Sequence, residues 1–264
     1  MTESRGWAVI LGASSGFGGA TARELAKSGF DIFGVHLDMR STLPNAEAIK
    51  SDIEAAGRKA LFINMNAADH DKRMDAMAKL IEATSADNSF VRVLMHSLAF
   101  GSLAPVIADE GTNALNQKQM EMTLDVMANS LIYWAQDLAA AGLLRKGSRI
   151  YAMTSSGSTR VIRSYGAVSA AKAALEAHIR QLAFELAPLG VTANAIRAGV
   201  TDTPALRRIP EGIALLEKVR ASNPSGRATT PEDIAQAIAA LSDERLHWLT
   251  GNVLGVDGGE EITV

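Results

Sequence analysis

Short apolar runs alternate with amphipathic stretches along almost the whole chain. Residues 7–11, 32–36, 60–63, 91–95, 149–153, 191–196 and 253–256 are apolar and too short for stable helices, so they predict buried strands. Between them, segments 17–28, 45–56, 71–85, 117–141, 165–187 and 231–242 are amphipathic or Ala-rich and of helical length. Strands separated by helices pair in parallel, with the helices covering both faces. The pattern predicts an α/β fold built on one doubly wound parallel sheet of about seven strands. Its ligand site should lie at the carboxyl ends of the strands, near the switch in strand order. No linker or low-complexity stretch divides the 264 residues, so 1–264 reads as a single domain.

The first strand runs into Gly12-Ala13-Ser14-Ser15-Gly16-Phe17-Gly18, and a helix follows. Glycines there let the backbone turn tightly and approach a pyrophosphate, whose charge the helix N-terminus holds. A plain tight turn is the competing reading. Strand two ends in His36-Leu37-Asp38-Met39-Arg40. An acid at this point bonds the adenosine ribose hydroxyls and repels a 2′-phosphate, and a nearby Arg does the opposite. Both signs are present. Asp38 comes first and the glycine loop has no basic residue, so NADH is mildly favoured, while His36 and Arg40 keep NADPH open. Asn66, after strand three, either bonds the adenine amino group or serves as a turn residue.

The residues with the most chemistry lie in SSGSTRVIRSYGAVSAAK, from Ser155 to Lys172. A small-residue turn follows strand five, and an Ala-rich helix carries Tyr165 and Lys172. Residues seven apart on an α-helix differ by about 20° in azimuth and about 10 Å in rise. Tyr165 and Lys172 therefore share a face, where a cation beside a phenol would lower its pKa. The bland alternative is a packed Tyr and a solvated Lys. His96, after strand four, has no carboxylate near it in sequence and reads as structural. His70, His178 and His247 show no metal-ligand spacing, so no metal is expected. The helix 117–141 is apolar on more than one face and suggests a subunit interface, against the alternative of a thick internal core. Segment 203–228, with Pro204, Pro210, Gly212, Pro224 and Gly226, suits a mobile substrate lid.

Composition narrows the classes. A net charge of −3 argues against a nucleic-acid footprint. The absence of cysteine excludes disulfides, thiolate catalysis and Cys-ligated zinc. The N-terminus has too short an apolar run for a signal peptide and no run reaches membrane-spanning length, so a soluble, cytoplasmic protein is expected.

Taken together, these pieces make nearly the whole chain resemble the short-chain dehydrogenase/reductase superfamily. The resemblance rests on Gly12-x-x-x-Gly16-x-Gly18, the Ser155/Tyr165/Lys172 stretch, Ala198-Gly199 and the terminal Val256-Asp257-Gly258-Gly259. Ordinary members place Tyr four residues before Lys, where this chain has Val168. Tyr seven before Lys marks the enoyl-acyl-carrier-protein reductase branch. His96-Ser97-Leu98-Ala99-Phe100-Gly101, Ala198-Gly199, and Asp125 in place of the usual Asn also resemble that branch. One departure is Ser155, where many enoyl reductases carry a further Tyr and ordinary members a catalytic Ser.

The resemblance implies a Rossmann-type fold that binds NADH or NADPH through Gly12, Ser14, Ser15, Gly16, Phe17, Gly18, His36, Asp38, Arg40, Asn66, Ala67, Ser97, Leu98, Lys172, Gly199, Val200 and Thr203. It implies Tyr165, Lys172 and Ser155 as catalytic residues. It also implies an acyl thioester substrate on acyl carrier protein, a place in fatty acid biosynthesis, and a homotetramer or homodimer. Carbonyl reduction or alcohol oxidation is the first alternative, and a non-catalytic nucleotide-binding regulator the second. The spacing has a physical sense. In enoyl reduction charge develops on the thioester oxygen, away from the carbon that receives hydride. Moving Tyr from four to seven residues before Lys shifts it by about 4.5 Å along the helix.

Overall fold

The structure is a computed structural model that describes residues 4–263 apart from 87, 109 and 112. Seven strands form one parallel sheet: β1 (Trp7–Leu11), β2 (Asp31–His36), β3 (Ala60–Asn64), β4 (Val91–His96), β5 (Arg149–Thr154), β6 (Thr192–Ala198) and β7 (Val253–Val256). Their order is β3-β2-β1-β4-β5-β6-β7, so the direction of winding switches between β1 and β4. Strand ends differ from the sequence expectation by only one or two residues.

The helices are α1 (Gly16–Lys27), α2 (Leu43–Ala55), α3 (His70–Ala86), α4 (Gln117–Leu124), α5 (Ser130–Ala140), α6 (Gly166–Glu185), α7 (Gly212–Ser222) and α8 (Pro231–Leu241). Side chains alternate across each strand, and the alternation sorts the core into two layers. Val9, Leu11, Leu94, Ile150, Ala152 and Ala193 face Leu80, Leu131, Trp134, Leu138, Leu175 and Ile179 from α3, α5 and α6. Ala8, Ile10, Ile32, Val93, Met95 and Ile196 face Ala22, Leu25, Ile49, Ile53, Ile234 and Ile238 from α1, α2 and α8. The sheet is thus covered on both sides. The apolar runs show no strict alternation because both of their faces are buried.

The stretch expected as one helix over 117–141 is interrupted. A π-helical turn, Asp125–Asn129, separates α4 from α5. The Tyr133 hydroxyl donates to Asp125 Oδ1 at 2.8 Å, and Asn129 Oδ1 lies 3.1 Å from His178 Nε2 on α6. Val126, within this turn, lines the cavity described below. Met127, Leu131, Trp134 and Leu138 are consumed by the chain's own core, while Leu124 and Ile132 stay partly buried. Among the described residues no helix is long and apolar enough to cross a membrane.

Candidate active site

A cavity of about 940 Å³ opens at the carboxyl ends of β1, β2, β4, β5 and β6, across the switch point. It runs from His36 and Asp38 at one end to Tyr165 and α7 at the other.

The turn after β1 is shaped by what it lacks. Gly12 has φ +94° and Gly16 +51°, in the left-handed region that favours glycine. A Cβ on Gly12 would lie 2.5 Å from the Ser97 carbonyl oxygen, and one on Gly18 would lie 2.1 Å from the Gly12 carbonyl oxygen. Ser15 precedes α1 without a side-chain cap, so the first amides of the helix are left to a ligand. These features fit the pyrophosphate of a dinucleotide. Ser14, Ser15, Gly16 and Phe17 line the cavity; Gly18 does not, and instead lets α1 pack against the turn.

At the end of the cavity beside β2, His36 and Asp38 line the wall and Arg40 is exposed outside it. Asp38 Oδ2 lies 2.8 Å from His36 Nδ1. Burial pushes the Asp38 carboxyl up, but neighbouring Ser14, Thr42 and His36 outweigh it and hold the pKa below the ordinary value. Asn66 and Ala67 line the next wall. Asn66 Oδ1 accepts from the Ala68 amide at 3.0 Å, so this residue does close a turn.

Ser97, Leu98, Gly199, Val200 and Thr203 surround the middle of the cavity. A Cβ on Gly199 would meet Thr229 Oγ1 at 2.4 Å and Glu260 Oε2 at 2.7 Å. The Val200 amide donates to that same Glu260 oxygen at 2.8 Å. Glu260 also lines the cavity, its carboxyl raised by burial and by the charges of Asp257 and Glu261. Sequence reasoning missed Glu260, because only the closing turn after β7 brings it to the Gly199 loop.

The opposite end of the cavity is built by β5 and α6. Ser155 follows β5 directly, a short turn Ser156–Ser158 comes next, and Tyr165 sits at the start of α6. Tyr165 is 9% and Lys172 6% exposed, and both line the cavity. Lys172 Nζ donates to the Met153 carbonyl at 2.7 Å, and burial pulls its pKa down to about 8, with Glu176 opposing. Glu176 is itself held by the Thr154 hydroxyl at 2.6 Å. Burial pushes the Tyr165 hydroxyl up, and Ser155 is the neighbour that draws it back. The expected lowering by Lys172 is therefore not the governing effect. Their points of attachment are about 10 Å apart along the helix axis, and the amine is turned to Met153.

Ser155 Oγ is buried and, among the described residues, engages no group in hydrogen-bonding geometry, although it is near enough to influence Tyr165. Gly157 was also missed. A Cβ there would lie 2.7 Å from the Tyr165 ring and 3.3 Å from Ser155 Oγ, so the turn can hold the ring only with glycine. A glycine among three serines was the available signal. Ser164, at φ +58°, sets the entry of Tyr165 into α6. Val168, four before Lys172, is buried in the core, and Asp125 bonds Tyr133 rather than facing the cavity. His96 is fully buried with Nε2 2.9 Å from Ser130 Oγ. Burial, and then the charge of Lys172, pull its pKa down to about 3, so it is a neutral structural imidazole. Met122, Val126, Ile162, Leu206 and Leu215 give the cavity an apolar wall beside Tyr165.

A family profile described as enoyl-(acyl carrier protein) reductase matches residues 12–261. The cis-4-hydroxycyclohexanecarboxylate dehydrogenase of Sinomonas cyclohexanicum is 30% identical over 96% of this chain and 95% of its own length. The 1-cyclohexenylcarbonyl-CoA reductase of Streptomyces collinus is 28% identical, covering 98% and 88%. Among solved structures, the enoyl-[acyl-carrier-protein] reductase (NADH) of Aquifex aeolicus superposes with a TM-score of 0.83 over 98% of both chains at 22% identity, a likeness of fold. A short-chain dehydrogenase of Burkholderia cenocepacia in complex with NADP superposes with a TM-score of 0.81 at 26% identity, over 98% of this chain and 99% of that one. The reactions named for these relatives differ, and so do their cofactors.

Proposed function

Since the chain belongs to the enoyl-(acyl carrier protein) reductase family of short-chain dehydrogenases/reductases, and so is an oxidoreductase that uses a nicotinamide dinucleotide, we propose that it reduces the 2,3-double bond of an acyl thioester carried on acyl carrier protein. The observation that carries this reading is that Tyr165 and, seven residues on, Lys172 both line the cavity while Val168, at the position of the ordinary Tyr, is buried in the core. The cofactor, when bound, supplies the hydride. Tyr165 then stands displaced from Lys172 by nearly two helical turns, which suits an oxygen remote from the carbon reduced. Its hydroxyl stabilises the enolate oxygen and donates the proton. Lys172, positively charged below pH about 8, holds the nicotinamide ribose and sets the local charge. Ser155 offers a second donor to the same oxygen. The apolar wall takes the acyl chain.

Three finer points belong to the same proposal. NADH is the better partner, since Asp38 lines the cavity and Arg40 does not. Residues 203–228 act as a lid, since Leu206, Leu215 and Val219 from this segment line the cavity. Copies of the chain associate, as a homodimer or homotetramer, through the α4–α6 side of the molecule. Such an activity belongs to fatty acid biosynthesis.

Carbonyl reduction is the second reading, favoured by Ser155 and by the dehydrogenase of Sinomonas. The two are separated by following oxidation of NADH and NADPH with matched crotonyl and acetoacetyl thioesters. Turnover of crotonyl thioester is expected, and turnover of acetoacetyl thioester alone would transfer the site to carbonyl chemistry.

A further inference from the structure

The segment over the cavity packs on Val200, and the last turn of the chain holds Val200 in place. We propose that Glu260 is the positioning residue of this lid: by accepting from the Val200 amide it fixes the residue on which the lid packs, and so sets the wall that the acyl group meets. The inference rests on the reading of residues 203–228 as a lid and not on which thioester is reduced.

Leu206, Leu216 and Ala228 form a small cluster apart from the two layers on the sheet, and Val200 packs against it. Ile209 reaches from this cluster to the α6 layer. The ends of the segment meet where Thr201 and Thr229 pair in one parallel β-bridge, so the position of the lid is set there. On the near side the Val200 amide donates to Glu260 Oε2 at 2.8 Å. Gly199 admits that carboxylate, since a Cβ on it would lie 2.7 Å from the same oxygen. Glu260 therefore acts through Val200, whose amide it holds while the side chain seats the lid. Val200, Leu206 and Glu260 all line the cavity, so a shift of this anchor changes the wall.

The far end of the lid rests on the same turn. Asn223 Nδ2 donates to the Asp257 carbonyl at 2.8 Å, and the Ser225 hydroxyl to the Gly258 carbonyl at 2.7 Å. Gly259 has φ +91°, and a Cβ on it would lie 2.8 Å from Pro224 Cγ, so glycine permits both the turn and the approach. Asp257 stiffens the turn, its carboxylate accepting from the Gly259 and Glu261 amides at 3.0 and 3.1 Å. Both ends of the lid thus meet one short turn after β7. What the Val200 amide requires is an acceptor. A glutamine oxygen supplies one and alanine does not.

Arg207, Arg208, Lys218, Arg220 and Arg227 lie exposed in the lid segment, so limited trypsin digestion of the full-length protein, with fragments located by mass spectrometry, reads lid opening without substrate. Its failure is therefore distinct from failure of the enoyl reading. Glu260→Ala should raise cleavage within 203–228 by about tenfold, the scale of one lost hydrogen bond at a charged acceptor. Glu260→Gln should be cleaved at the wild-type rate. Ser225→Ala removes one exposed hydroxyl from the far end and leaves the core intact, and should raise cleavage at the same sites by about threefold. Cleavage at Lys50 and Lys79, exposed on α2 and α3, should not change in any of the three. With crotonyl or acetoacetyl thioester, whichever is turned over, Glu260→Ala should raise KM by about tenfold while kcat holds, and Glu260→Gln should restore KM. Wild-type lid cleavage in Glu260→Ala, a glutamine variant as labile as the alanine one, an increase shared by Lys50 and Lys79, or a fall in kcat at unchanged KM would overturn the proposal.

Discussion

Tyr165→Phe removes one oxygen from a ring that packs beneath Gly157 and leaves the ring in place. Enoyl turnover should drop by about 10²-fold or more, while dinucleotide affinity and melting temperature hold. Full enoyl activity in this variant ends the assignment of Tyr165. Ser155→Ala should be milder in an enoyl reaction and as severe as Tyr165→Phe if the substrate is a ketone. Lys172→Met should differ in kind, weakening dinucleotide binding as well as rate. It also bears on stability. The Lys172 pKa falls from 10.5 to about 8 on folding, so the native state gives up this proton first. Below pH about 8 both states hold the proton and the native state carries the whole desolvation cost. Between about 8 and 10.5 the unfolded chain binds more protons, and stability rises with pH. Lys172→Met lacks that rise. Denaturant midpoints of the two proteins should therefore shift in favour of the wild type across this window, and parallel pH curves would contradict the burial argument.

The β1–α1 turn and the start of α8 offer a contrast between a site element and a structural one. Gly12→Ala must place a Cβ 2.5 Å from the Ser97 carbonyl at φ +94°. The left-handed strain alone costs about 1–2 kcal/mol, and the clash adds to it. Both stability and dinucleotide binding should suffer, the binding by more than tenfold as the cradle opens. Helix α8 instead begins with a reciprocal cap, in which Thr230 accepts from the Asp233 amide and Asp233 accepts from the Thr230 amide. Thr230→Ala should cost about 1 kcal/mol by chemical denaturation. Its dinucleotide affinity should stay at the wild-type value. Equal loss of binding in both variants would show that the turn has no special role.

For the whole molecule, the unsettled surface is the α4–α6 side. The apolar residues expected there for a partner are taken by the internal core in large part, with Leu124 and Ile132 left partly buried. Phe184, on α6, is 78% exposed. Sedimentation should nevertheless give a species larger than the 27.9 kDa monomer, and Phe184→Glu should shift it toward that monomer. A stable monomer at micromolar concentration rejects the association.

The alternation of apolar runs with amphipathic stretches determined the strands and helices, because backbone geometry imposes periods that neighbouring residues must satisfy. The glycine turn, and the shared face of Tyr165 and Lys172, were legible for the same local reason. What lies far apart in sequence was decided by the sheet. The carboxyl end of β6 brings Val200 to Glu260, and the neighbouring β2 and β3 bring Asn64 to Asp38. The π-turn at Asp125–Asn129 breaks a continuous apolar pattern, and only its bonds to Tyr133 and across to His178 mark it. Whether Asp38 or Arg40 faced the cavity was likewise open in the sequence, since both follow the same strand. The direction of the chain leaving β2 put Asp38 in the cavity and Arg40 in solvent. A charge two residues along a loop can point either way until tertiary contacts orient the backbone.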